Sequence, residues 1–245
     1  MSQTQAVLDA YWSQRAKAYH DHHVISERAT ADRALWTKIF ARLIPGHELD
    51  ILDVGTGPGY VAHILADLGH TVIGLDGAPG MIRQAEAEAA HRASHGAPKA
   101  TFARADVTEI PADLGTFDVV TSRYLLWTLR NPEVAARAWK QVLRPGGLVV
   151  AADANWYTDG IPQDIEVECE ESPDSFVKAY DDSVMADLPL ATASSPEEYS
   201  DVFRAAGFSD VEIHWLPEVQ ELDREFGLAP GHDSKPNFAI TAVNR

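Results

Sequence analysis

Leu49-Asp50-Ile51-Leu52-Asp53-Val54-Gly55-Thr56-Gly57-Pro58-Gly59 joins a short apolar run to a loop of three glycines. The run reads as a strand, and Tyr60 to Leu68 reads as the helix that follows it. Glycines let the chain turn sharply and bring its backbone against a ligand that faces the helix N–H groups. A dinucleotide loop of the G-x-G-x-x-G type needs a third glycine where Tyr60 stands, and a P-loop needs a Gly-Lys-Ser/Thr that is absent.

The same alternation continues downstream. Strands are predicted at Thr71–Leu75, Thr101–Arg104, Phe117–Ser122 and Leu148–Ala152, with helices from Pro79 to about Arg92 and from Pro132 to Leu143. Segment 153–194 breaks the rhythm and reads as an insertion. A helix at Pro196–Ala206 and strands at Val211–Trp215 and Phe238–Val243 follow. Upstream, the first 45 residues read as helices. Tyr11, Arg15 and Tyr19 recur every four residues with Trp12 beside them, and Leu35, Ile39 and Leu43 mark a second helix. Four parts result: a helical lid at 1–45, a binding core at 46–153, an inserted pocket segment at 154–195, and the end of the core sheet at 196–245.

Composition narrows the function classes. The 245 residues are 45% hydrophobic and 23% charged, which is ordinary globular composition. A net charge of −17 repels nucleic acid, so no nucleic-acid partner is expected. No apolar run suits a membrane span and no secretory signal is visible, so a cytoplasmic protein is expected, as a monomer or homodimer. The lone Cys169 supports neither an intrachain disulfide nor a cysteine zinc site. Ten carboxylates between Asp159 and Asp187 face one base, Lys178. They read as a solvated segment or as an acidic wall near a cationic ligand.

Two further aspartates sharpen the glycine loop. Asp76 ends the second strand, where a carboxylate takes both hydroxyls of a ribose, and Asp106 lies just past the third, placed to accept from an exocyclic amine. Either alone also reads as a helix cap. Three aspartates at successive strand ends point to a nucleoside, with little sign of a diphosphate.

These residues resemble the class I S-adenosylmethionine-dependent methyltransferases, close to their small-molecule type 11 group. Ile51 to Gly59 is similar to the first motif, Asp76 to the ribose acid, and Ala105-Asp106-Val107 to the adenine segment. Phe117 to Arg123 and Val142 to Leu148 are similar to the fourth-strand motif and the turn before the fifth strand. The resemblance covers roughly 49–153, and Tyr11 to Tyr19 is similar to the family's opening helix. It implies an α/β fold: a doubly wound, mostly parallel seven-stranded sheet with its last strand antiparallel. The implied cofactor is S-adenosyl-L-methionine. Asp53, Gly55, Thr56, Gly57 and Gly59 would hold its methionine part, Asp76 and Gly77 its ribose, and Asp106 and Val107 its adenine. Met81 flanks the cofactor or packs the core. Tyr11, Arg15 and Tyr19 would close over it, and Arg123 would lie near its methyl group or carboxylate.

The acceptor is read as a small aromatic or heterocyclic metabolite of natural-product type. Trp127 lines its pocket or packs internally, and Asn155, Trp156 and Tyr157 stack on it or pack within a loop. Many relatives carry His where Trp127 aligns, so no base is assigned there. His20-Asp21-His22-His23 follows the lid helix. His22 or His23 is read as general base, with Tyr124 in reserve and no metal. His63, His70, His91 and His95 read as surface residues. A non-catalytic cofactor-binding regulatory module and a methyltransferase acting on tRNA or protein remain as alternatives.

Overall fold

A computed structural model describes residues 2–24, 27–162, 175–227 and 234–245. Cys169 and six of the ten clustered carboxylates, Asp164 to Asp174, lie outside them. The sheet has seven strands: β1 (Asp50–Val54), β2 (Thr71–Asp76), β3 (Thr101–Arg104), β4 (Phe117–Arg123), β5 (Leu143–Ala154), β6 (Ser209–Trp215) and β7 (Asn237–Val243). Their order is β3-β2-β1-β4-β5-β7-β6. The first five are parallel, and β7 runs antiparallel between β5 and β6.

Central strands covered on both faces need apolar residues throughout, and β1 answers with Ile51, Leu52 and Val54 fully buried. The helices are α1 (Gln3–Val24), α2 (Ala29–Leu43), α3 (Tyr60–Asp67), α4 (Pro79–Ser94), α5 (Pro132–Val142), α6 (Ser175–Ala179), α7 (Asp182–Ala186), α8 (Pro196–Ala205) and α9 (Pro217–Phe226). One apolar cluster joins Trp36 and Phe40 of α2 to α3. Another joins Trp139 of α5 and Phe203 of α8. They lie on opposite sides of the sheet's midline strands.

Three sequence expectations need adjustment. β5 starts five residues early because Arg144 is pinned to Asp50 (2.7 Å) and Asp118 (2.6 Å), drawing its turn into the ladder beside β4. α9 falls between the last two predicted strands, where no element was predicted. It opens on Pro217, a favoured first helical residue, and is tied to α2 by Arg42–Glu218 (2.9 Å). His63 is 3% exposed rather than on the surface, its ring edge-on to Phe102 at 5.4 Å.

Strand order reverses at β1, which pairs with β2 on one side and β4 on the other. In open α/β sheets ligands bind at this switch, beyond the carboxyl ends of the strands. α1 lies across the same end. Its backbone crosses α4 so closely that a Cβ on Gly80 would stand 2.3 Å from the Ser13 carbonyl oxygen, while Gly80 N–H donates to Ser13 Oγ (3.1 Å). Gly80→Ala is therefore expected to destabilise the protein by about 1–3 kcal/mol by pushing α1 away. Urea unfolding checks this, and a midpoint equal to wild type would show that the crossing relaxes freely.

Candidate functional site

The site begins with Asp53, whose carboxylate is buried beneath the glycine loop. It accepts hydrogen bonds from Thr56 Oγ1 (2.6 Å) and Thr121 Oγ1 (2.8 Å), tying the loop to β4. Burial pushes its pKa up to about 6 despite both hydroxyls. Gly55, Gly57 and Gly59 take φ of 64°, 56° and 87°, a region that side chains disfavour. A Cβ at Gly55 would also sit 2.7 Å from the Leu125 side chain.

Asp76 is the second anchor. Gly57 N–H donates to its Oδ2 (2.9 Å) and Ala78 N–H to its Oδ1 (2.8 Å). Each oxygen keeps a lone pair for another donor. Burial again dominates and raises its pKa to about 6.

Between these groups and α1 lies a cavity of about 360 Å3, within the range of about 300–1,000 Å3 usual for small-molecule sites. Asp53, Gly55, Thr56, Gly57, Asp76, Gly77, Met81, Asp106, Val107, Arg123, Tyr124 and Tyr19 all line it. Gly59 sits just behind as the left-handed N-cap of α3. Asp106 holds its own turn, its Oδ1 accepting from Thr108 N–H (2.9 Å) and Oγ1 (2.7 Å), so one oxygen remains for a ligand. Val107 gives its carbonyl to Trp139 Nε1–H (3.0 Å), fixing this wall.

Arg123 is the half-buried cation of the lining. Its guanidinium lies 4.6, 4.8 and 4.5 Å from the ring centres of Trp36, Tyr60 and Tyr124. Its Nε is buried without a hydrogen-bond partner, and among the described residues no carboxylate forms an ion pair with it. Asp32 acts on this cation only from behind the Tyr60 ring, and a cavity-facing cation with no carboxylate in contact is suited to an incoming anion.

Several expected site residues stand elsewhere. Tyr11 and Arg15 do not line the cavity: Tyr11 packs edge-on against Phe176 (5.8 Å) and Tyr180 (5.7 Å), and Arg15 lies against the Tyr11 ring at 5.9 Å. The four-residue spacing drifts around the helix, and the face that covers the cavity carries Gln5, Asp9, Trp12 and Tyr19. Asp9 was missed. It accepts from Gln5 Nε2 (2.8 Å) and hangs beside Gly77, where a Cβ would meet its Oδ1 at 3.2 Å. Its helical register with Gln5 and Trp12 was the available signal.

Trp127, Asn155, Trp156 and Tyr157 also stand outside the lining. Trp127 stacks on Tyr180 (5.1 Å) and meets Tyr157 (5.4 Å) in the core. Asn155 Nδ2 donates to the Ala193 carbonyl (2.9 Å), and Trp156 Nε1 donates to buried Asp153 (2.8 Å). These polar ends are absorbed by the fold, which makes packing the better reading of all four.

The proposed bases are likewise engaged. His23 shares Nδ1 with the Tyr19 carbonyl (2.9 Å) and Nε2 with Arg123 Nη2 (3.1 Å). The first nitrogen therefore carries the proton and the second accepts, leaving no lone pair for an acceptor's proton. Burial, reinforced by Arg123, depresses its pKa to about 3. His22 does not line the cavity, and its ring lies edge-on to His23 at 5.4 Å. Tyr124, at a left-handed φ of 57°, donates its hydroxyl to Asn237 Oδ1 (2.7 Å), and burial raises its pKa. His20 turns to Glu88 (3.6 Å) and Asp21 to Lys17, so this histidine run does not converge.

The residues present fit a zwitterionic nucleoside: a carboxylate with free lone pairs at the ribose position, a glycine cradle, and an unmatched cation beyond it. Comparison with known proteins agrees. Residues 52–151 match the methyltransferase-domain family. A ubiquinone biosynthesis O-methyltransferase of Methylobacterium nodulans is 36% identical over 115 residues, covering 46% of this chain and 44% of the relative. A demethylmenaquinone methyltransferase of Clavibacter sepedonicus is 28% identical, covering 66% of each. The chain thus spans about half the length of the relatives it matches. Haemonchus contortus phosphoethanolamine N-methyltransferase 2, solved with phosphomonomethylethanolamine and S-adenosylhomocysteine, superposes with a TM-score of 0.66. It is 18% identical, over 99% of this chain and 60% of its own. The glycine loop and both strand-end aspartates, Asp76 and Asp106, thus fall within the stretch that is similar to the methyltransferase-domain family.

Proposed function

We propose that this protein transfers a methyl group from S-adenosylmethionine to a small ring-bearing metabolite. The observation that carries the reading is the polarity of the cavity: its lining holds the desolvated acids Asp53 and Asp76 and the cation Arg123, whose Nε has no hydrogen-bond partner. The named relatives act in quinone biosynthesis, which supports an electron-rich aromatic acceptor.

In this reading Asp76 accepts from the ribose hydroxyls, Asp106 and the Val107 backbone meet the adenine, and Arg123 pairs with the methionine carboxylate. Bound there, the cofactor supplies a methyl group already activated on a sulfonium. The protein's work is then alignment and exclusion of water. Gln5, Asp9, Trp12 and Tyr19 of the lid helix α1 cover the cofactor. Among the described residues that line the cavity there is no histidine, and Tyr124 is committed to Asn237. Positioning, rather than a histidine base, is the contribution this set of residues favours.

Two ligands separate the roles. S-adenosylhomocysteine carries the amino-acid part, and 5′-methylthioadenosine lacks it. Arg123→Gln is expected to weaken the first by about 10- to 100-fold, the loss of one charged hydrogen bond, and to leave the second within about threefold. Asp76→Asn weakens both. Calorimetry reads each affinity. An equal loss of both ligands in Arg123→Gln would remove that residue from the carboxylate, and full affinity in Asp76→Asn would remove it from the ribose.

The carboxylates also predict a pH dependence. Raised to about 6, Asp53 and Asp76 bind protons that the unfolded chain has released, so ligand-free stability falls as pH rises from about 4 to 7. Cofactor binding runs the other way, because ribose hydroxyls favour the ionised Asp76. Affinity for S-adenosylhomocysteine is expected to drop between pH 7.5 and 5, and Asp76→Asn to flatten that drop. A profile as steep in the variant as in wild type would assign the titration elsewhere.

A further inference from the structure

Tyr180 follows the short helix α6 and is 2% exposed. Its ring and its hydroxyl do different things. The ring stacks on Phe176 (4.8 Å) and Trp127 (5.1 Å) and belongs to the apolar core. The hydroxyl accepts from Trp12 Nε1–H (2.9 Å) and pairs with Thr128 Oγ1 (3.2 Å). Trp12 is on the lid helix and Thr128 on the turn after β4, and both line the cavity from different walls. Tyr180 itself does not line it.

A second bridge repeats the pattern seven residues on. Asp187 accepts from Thr4 Oγ1 (2.5 Å) at the start of α1 and stands 3.7 Å from Arg130 Nε. Arg130 lines the cavity beside Thr128. The same stretch of the insertion thus grips both the lid and the opposite wall at two points, one buried and one exposed. Packing alone explains the ring. It does not explain why two polar groups bridge the same pair of elements.

We infer that residues 180–187 form a clasp that holds α1 shut over the cofactor and sets how fast the cofactor exchanges; Tyr180 is its positioning residue. The inference rests on the cofactor reading above. Because neither Tyr180 nor Asp187 lines the cavity, loosening the clasp opens the way in and the way out alike. Entry and exit accelerate together while the equilibrium constant is nearly unchanged.

Tyr180→Phe keeps the ring and deletes both hydroxyl bonds. Stopped-flow tryptophan fluorescence with S-adenosylhomocysteine gives both rate constants, Trp12 in the cavity wall serving as reporter. Both are expected to rise about five- to tenfold, with Kd within about twofold. Asp187→Asn is expected to raise both less, and the difference from wild type to shrink at high salt, since that bridge is exposed. Unchanged rates in Tyr180→Phe, or a faster exit with unchanged entry, would overturn the clasp, the latter because it marks an ordinary lost contact. Should Tyr180→Phe unfold, Thr4→Val breaks the second bridge from outside the cavity and is judged by the same two rates. A wild-type protein that binds no S-adenosylhomocysteine would remove the cofactor reading and the clasp together; binding with clasp variants at wild-type rates removes the clasp alone.

Discussion

A carboxylate kept under a loop with two threonine hydroxyls as its donors is the constraint on which the site depends. Asp53 lies near the end of β1, Thr56 lies in the glycine loop, and Thr121 sits opposite Asp53 on β4. Without donors a buried carboxylate is too costly to keep, and with them it fixes the loop relative to two strands. The loop then offers Gly57 N–H to Asp76, which fixes β2's end in turn. From one buried acid the carboxyl ends of β1, β2 and β4 are brought into a single register. The switch point of the sheet becomes a shaped site through this chain of bonds.

Charge is distributed unevenly along the cavity, and the fold sustains this at both ends. Asp53 and Asp76 are desolvated acids stabilised mainly by neutral donors, so their proton affinity stays high. Arg123 is a desolvated cation stabilised by rings and by a neutral imidazole. His23 suits that role because donating to the Tyr19 carbonyl leaves its other nitrogen as the acceptor Arg123 needs. Tyr60 donates its hydroxyl to buried Asp32 (2.6 Å), which places a negative group behind the ring that Arg123 faces. The histidine is thereby part of the scaffold that holds Arg123, with both ring nitrogens engaged.

Much of the core was legible because its physics is local. A strand, a glycine loop and a helix are adjacent in sequence, and Asp76 and Asp106 are recognised by standing at strand ends. Thr121 and Arg123 likewise follow from the parity of one strand. The lid and the insertion were harder. Tyr11 and Trp12 are neighbours in sequence but point about 100° apart on a helix, and only packing decides which faces the cavity. Trp127 and Tyr157 carry the same composition as a substrate-stacking pair. Their partners, Phe176 and Tyr180, come from a segment whose docking no local pattern announces. α9 was hidden for a related reason, since its ion pairs to α2 and to the Arg28 that caps it bridge residues far apart in sequence.

The acidic stretch illustrates how composition and geometry diverge. As a run of charge it read as a solvated segment or as an acidic wall near a cationic ligand. Asp181 and Asp187 act singly: Asp181 caps α7 through Ser183 N–H (2.9 Å) and Val184 N–H (2.9 Å), and Asp187 joins Thr4 to Arg130. Neither lines the cavity. An exposed cap stabilises a helix too short to persist alone, and that helix presents the bridging aspartate. The acid that faces the cavity is on Asp53 and Asp76, where low polarity strengthens its charge. On the insertion the same chemistry is spread over local bonds that hold a surface segment against the lid. Position relative to the sheet's switch point, rather than abundance of acid, separates the carboxylates that line the cavity from those that do not.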